Sequence, residues 1–151
     1  MTHPRFSRRH LLQGLVVAVM GMMGVLSVAP AWAHDDAYLD TVKAPHGGQL
    51  RMAGPVHLEL VLSKTPVEAT EKAIAVYVTD HAGKPQATAG ASGTITILSG
   101  KTKVSVALKP DGDNKLSAQA PYASTPDLKA IVSVTMAGQP AQQARFTPMH
   151  P

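Results

Sequence analysis

Along residues 49–62 the apolar side chains fall on every second position. Leu50 and Met52 share one parity, and Val56, Leu58, Leu60 and Leu62 form the next run. A period of two belongs to a strand with one buried face. The intervening Ala53-Gly54-Pro55 predicts a hairpin, and register decides its loop, because a slip of one residue turns every side chain to the other face. Pairing Met52 with Val56 across a three-residue loop sets Leu50 opposite Leu58 and gathers the apolar residues on the core side. Arg51 then stands beside His57, and Gln49 beside Glu59, on the opposite side. This longer loop is preferred to a two-residue turn.

The alternation continues along the chain. Ile74, Val76 and Val78 define a strand that stops at Asp80-His81-Ala82-Gly83-Lys84-Pro85, a dense turn signal. Ile95 and Ile97, then Val104, Val106 and Leu108, flank Ser99-Gly100-Lys101 as a second hairpin. Residues 86–92 are small and polar and predict a surface connection. Pro110-Asp111-Gly112-Asp113-Asn114 is a turn, and no glutamate follows Asp111-x-Asp113 at the distance a calcium loop requires. Segments around Leu116, from Ala130 to Met136 and from Ala141 to Phe146 complete the series. Thr65-Pro66-Val67-Glu68 has the N-cap, first-turn proline and third-position glutamate of a single helical turn. The fold class expected is all-β: an antiparallel Ig-like β-sandwich of seven to eight short strands over residues 46–147, with 148–151 as a tail. "Ig-like" refers to architecture alone, since the disulfide and buried tryptophan of immunoglobulin domains are absent.

The amino-terminal third follows a different rule. Ser7-Arg8-Arg9-His10-Leu11-Leu12 precedes an apolar run to Val28, then Ala31-Trp32-Ala33 and the polar His34-Asp35-Asp36. A basic front, a hydrophobic middle and small residues before a polar junction are the parts of a cleavable export signal. The paired arginines resemble those of twin-arginine signals, whose cargo crosses the membrane folded. The general secretory route and an uncleaved membrane anchor are the alternatives. Residues 1–33 are therefore expected to be a signal peptide, 34–45 a flexible arm or a short helical turn, and the location periplasmic. Removing 33 of 151 residues leaves 118, a length suited to one domain.

Composition then removes several classes of function. Arg5, Arg8 and Arg9 leave with the leader, so the fourteen basic residues fall to eleven against ten acidic ones. A near-neutral domain with scattered lysines has no electrostatic footprint for nucleic acid, and after cleavage no membrane attachment is expected. Cysteine is absent, which excludes disulfides, thiolate metal sites and cysteine nucleophiles. Neither a Gly-x-Ser-x-Gly elbow, a His-Glu-x-x-His helix nor a phosphate-binding glycine loop occurs, and no enzyme activity is expected.

Histidine is the remaining chemistry: His34, His46, His57, His81 and His150 follow the cleavage point. Without cysteine, an extracytoplasmic site for copper, nickel, cobalt or zinc would be built from imidazole with carboxylate or methionine sulfur. If cleavage follows Ala33, the α-amine and imidazole of His34 can chelate one ion together. His46-Gly47-Gly48 precedes His57-Leu58-Glu59, where His57 and Glu59 project from one strand face about 7 Å apart. His34, His46, His57 and Glu59 are the candidate metal ligands. The competing reading of His57 and Glu59 is a solvent-facing strand with Arg51 and Glu59 as cross-strand partners. His81 is assigned to its turn, and Met149-His150 to the tail.

The run Ala44-Pro45-His46-Gly47-Gly48-Gln49-Leu50 leading to Gly54-Pro55-Val56-His57-Leu58-Glu59-Leu60-Val61, with Val76-Tyr77-Val78-Thr79-Asp80-His81-Ala82-Gly83-Lys84-Pro85, resembles small exported β-rich domains of heavy-metal resistance systems. Such domains occur alone or as periplasmic appendages of cation-efflux membrane-fusion proteins. The resemblance implies periplasmic handling of a divalent metal, with His46 and His57 as the carried-over positions and an envelope protein or efflux component as partner. The chain lacks the coiled-coil hairpin and lipoyl-like parts of an adaptor. Two functions are therefore expected to compete: a metal-binding accessory protein that buffers or delivers a transition ion, and a metal-free interaction module docking an envelope protein through its edge strands.

Overall fold

Eight antiparallel strands organise residues 36–150, which are the residues described by this computed structural model. They are β1 (Gln49–Ala53), β2 (Val56–Leu62), β3 (Thr70–Thr79), β4 (Ser92–Ser99), β5 (Thr102–Pro110), β6 (Lys115–Tyr122), β7 (Lys129–Thr135) and β8 (Gln142–Phe146). A single four-residue helix, α1 (Asp36–Leu39), precedes them. The fold is all-β, as the alternation predicts. The leader expected over residues 1–33 and the candidate ligand His34 lie outside the described residues.

The strands form one nearly closed sheet in the order β1-β2-β3-β6-β5-β4-β7-β8. Two overlapping Greek keys produce that order, since β3 passes over the β4-β5-β6 meander to pair with β6, and β7 returns to pair with β4. The halves join through the end of β5, where Lys109 and Pro110 pair with Ser117 and Leu116. At the seam β1 lies beside β8. There the Gln49 side chain accepts from the Thr147 N–H at 2.8 Å.

Inside the closed sheet the even parity of β2 and β3 (Leu58, Leu60, Ile74, Val76, Val78) meets Ile95, Ile97, Leu116, Val132 and Phe146, all 2 % exposed or less. Tyr122 joins this core with its hydroxyl satisfied, accepting from the Ser63 N–H at 2.9 Å and donating to the Ala73 carbonyl at 3.3 Å. Burial pushes its phenol pKa up. Lys72 is buried too, and its ammonium donates to the Pro66 carbonyl and to Ser124 while lying 4.7 Å from the Tyr122 ring centre.

Two local expectations are corrected. The first hairpin turns in two residues, pairing Ala53 with Val56, Met52 with His57 and Leu50 with Glu59. Leu50 and Met52 thus leave the main core and form a second apolar cluster with Leu39 and Ala44. Grouping all the apolar residues on one face assumed a single core, and this domain has apolar cover on both sides of β1. Residues 65–68 form no helical turn, and 66–69 are bends, because their carbonyls serve distant donors: Val67 accepts from the Ser124 N–H and Pro66 from Lys72. The 86–92 connection runs largely at the surface, as expected, with Thr88 alone fully buried and its hydroxyl placed among the carbonyls of Gly112, Asp113 and Lys115.

Candidate functional site

The two-residue turn sets the side chains of His57 and Glu59 on the face away from the main core, opposite Met52 and Leu50 on β1 and Thr79 and Tyr77 on β3. That face is covered. Residues 36–48 fold across it as α1 and a following loop, burying Leu39 and Ala44 against Leu50. His57 is left 7 % exposed and Glu59 3 %. The solvent-facing reading of this strand is overturned, and so is the pairing of Arg51 with Glu59. Arg51 instead donates to the Asp40 carboxylate at 2.6 and 3.2 Å and to the Leu50 carbonyl at 2.8 Å.

That ion pair ties the covering segment to β1. The Arg51 guanidinium holds the Asp40 carboxyl below the usual aspartate value of 3.8. A carboxylate whose folded pKa is depressed contributes stability that is present above its unfolded pKa and lost as pH falls through the folded value. Protection of the amides at residues 38–44, relative to their intrinsic exchange rate at each pH, is therefore expected to fall below pH 3.8 ahead of the β2 and β3 core, and to lose that pH dependence in Asp40→Asn.

A buried carboxylate needs donors, and Glu59 finds three in one loop. Its Oε1 accepts from the N–H groups of His46 at 2.8 Å and Gly48 at 2.9 Å, and its Oε2 from Nδ1 of His46 at 2.8 Å. The two glycines make that wrap feasible. Gly47 has φ +73°, in the left-handed region. A Cβ on Gly48 would collide with the Leu60 carbonyl. The His46 ring then stacks flat on Tyr77, with centroids 3.5 Å apart and planes 1° from parallel.

The third imidazole arrives from the β3 turn. Asp80 organises it, its side chain accepting from the Ala82 and Lys84 N–H groups at 2.9 Å each. His81 thereby sits edge-on to His57, with ring centroids 5.1 Å apart and planes at 88°. His46, His57, Glu59 and His81 line one cavity of about 250 Å³, roofed by Tyr38 and Leu39 of α1.

No protein family, curated protein or solved structure matches the chain.

The structure brings together three of the four residues singled out as ligands, His46, His57 and Glu59. It adds His81, which the sequence reading left in its turn. A signal for His81 was present: it continues the parity of Tyr77 and Thr79, whose partners are Glu59 and His57. His150 lines a different cavity, beside Gly47 and Lys64. Among the described residues no group of three or more His, Cys, Asp or Glu stands at metal-holding distances.

Both Glu59 oxygens are engaged by the loop. The Nδ1 contact to Glu59 fixes the orientation of the His46 ring, with Nε2 on its far side.

Proposed function

We propose that the protein is a periplasmic accessory protein that binds a divalent transition ion, copper, nickel, cobalt or zinc, to buffer or deliver it. In this reading His46, His57 and His81 supply imidazole nitrogen and Glu59 holds His46. The observation that carries it is one cavity lined by three imidazoles, the first of them fixed through Nδ1 by a buried carboxylate. Closure on an ion takes reorientation of His81, which sits on an exposed turn.

The same reading takes residues 1–33 as a cleaved, twin-arginine export signal and the barrel-like sheet as an Ig-like sandwich that carries the site. His34, as a free amino terminus, would supply a separate amine and imidazole chelate. An efflux component of the envelope is the proposed recipient of the ion, and no catalytic step is assigned.

Calorimetric titration with Cu(II), Ni(II) and Zn(II), on protein purified from an exporting host, tests the assignment. Submicromolar binding of one ion is expected, weakened at least about tenfold in His57→Ala and again in His81→Ala. Binding unchanged in both variants would refute the cavity as the site, and binding lost only in His34→Ala would move it to the amino terminus.

A further inference from the structure

We propose that the outer face of β4, β7 and β8 binds a single-chain amphiphile with an anionic head, of which a long-chain fatty acid is the type. The site is distinct from the imidazole cavity and does not rest on the metal reading.

Register lays out the face. Leu98 on β4 lies between Lys103 of β5 and Lys129 of β7, and Ile131 on β7 lies between Thr96 and Arg145 of β8. Neighbouring strands are about 4.8 Å apart, so the two lysines flank Leu98 at a backbone separation of about 10 Å. Leu98 and Ile131 are 43 % and 37 % exposed and are diagonal neighbours on the two strands, within reach of each other.

The face is also not flat. A groove of about 510 Å³ opens on it, lined towards the seam beside β1 by Phe146 and Thr147. That volume lies within the range of roughly 300–1,000 Å³ typical of small-molecule sites.

Charge identifies the occupant. β4, β5, β7 and β8 contain no acidic residue. Among the described residues Lys103, Lys129 and Arg145 enter no ion pair. Arg51, at the groove's rim, is bound by Asp40, and Asp127, in the turn before β7, accepts from the Gly100 N–H at 3.2 Å and attracts Lys129 without closing an ion pair with it. Three cations around an apolar slot match a carboxylate or phosphate head carrying one hydrocarbon chain. A concave slot of this volume takes one inserted chain, whereas a bilayer lying across the strands needs a flat or protruding apolar face.

Dodecanoate, kept below its micellar concentration and titrated into ¹⁵N-labelled protein from an exporting host, tests this. Saturable amide shifts are expected at Leu98, Lys103, Lys129, Ile131, Arg145 and Phe146, with affinity falling at least about tenfold in the exposed double variant Lys129→Glu/Arg145→Glu. An unchanged circular dichroism spectrum establishes that this variant is folded. The proposal is overturned if these amides do not shift, if decanol binds as well as the acid, or if the double variant binds undiminished. It is overturned in favour of a membrane surface if phosphatidylglycerol vesicles bind and dodecanoate does not.

Discussion

Glu59→Ala is expected to lower the unfolding free energy by about 2–4 kcal/mol, because it strands two backbone N–H groups and a ring N–H that were satisfied by one buried carboxylate. Water reaches the outer end of the loop, where the His46 side chain is 41 % exposed, which keeps the loss well short of three full desolvation penalties. Glu59→Gln should lose less, since its carbonyl oxygen can still accept from the His46 and Gly48 N–H groups. On the proposed function, the alanine variant should also weaken metal affinity about 10–100-fold without removing a ligand, as loss of an orienting carboxylate does at other histidine sites. Urea denaturation gives the first quantity and calorimetry the second. An alanine variant as stable as the parent would show that the three hydrogen bonds contribute nothing net.

Gly48→Val should cost about 1–3 kcal/mol by a different route, since the added carbon would meet the Leu60 backbone carbonyl, which belongs to β2 and cannot move aside as a side chain could. The loop must lift instead, and His46 then leaves both Tyr77 and Glu59. Because each substitution frees the same loop, the double variant Gly48→Val/Glu59→Ala should fall short of the summed losses by about 1 kcal/mol or more. Strict additivity would mean that Gly48 and Glu59 act on separate structures. Loss of the upfield shift that the Tyr77 ring imposes on the His46 protons is the expected spectroscopic sign of lifting.

The strands were legible because alternation is a local property. Val56 to Leu62 and Ile74 to Val78 declare a buried parity in their own side chains, and the structure places them accordingly. Residues that take partners from afar were not. Leu50 and Met52 are apolar for the sake of Leu39 and Ala44 on a preceding segment, so a rule that assigns all apolar residues to one core put β1 in the wrong register. The cap signature at Thr65 failed similarly, because Lys72 and the Ser124 N–H claim the carbonyls of Pro66 and Val67.

At the candidate site, the His-Gly-Gly motif and the His57-x-Glu59 spacing pointed to residues that do converge. Which Glu59 oxygen meets which donor is information that spacing does not carry. His81 was hidden for the same reason that turns are hard to read. Its position over His57 is set by the Asp80 turn, whereas its sequence surroundings offer only polarity and the continued parity of Tyr77 and Thr79.

The central claim is that three imidazoles converge on one ion. Histidine ring ¹H–¹⁵N correlation spectra recorded before and after one equivalent of Zn(II) test it most directly, since they report each ring nitrogen separately. The account predicts that the rings of His46, His57 and His81 move together and saturate at one equivalent, with Nε2 of His46 shifting as ligand while Nδ1 stays bonded to Glu59, and His150 unmoved. Saturation confined to His34 or His150, with the three cavity rings unchanged, would contradict it.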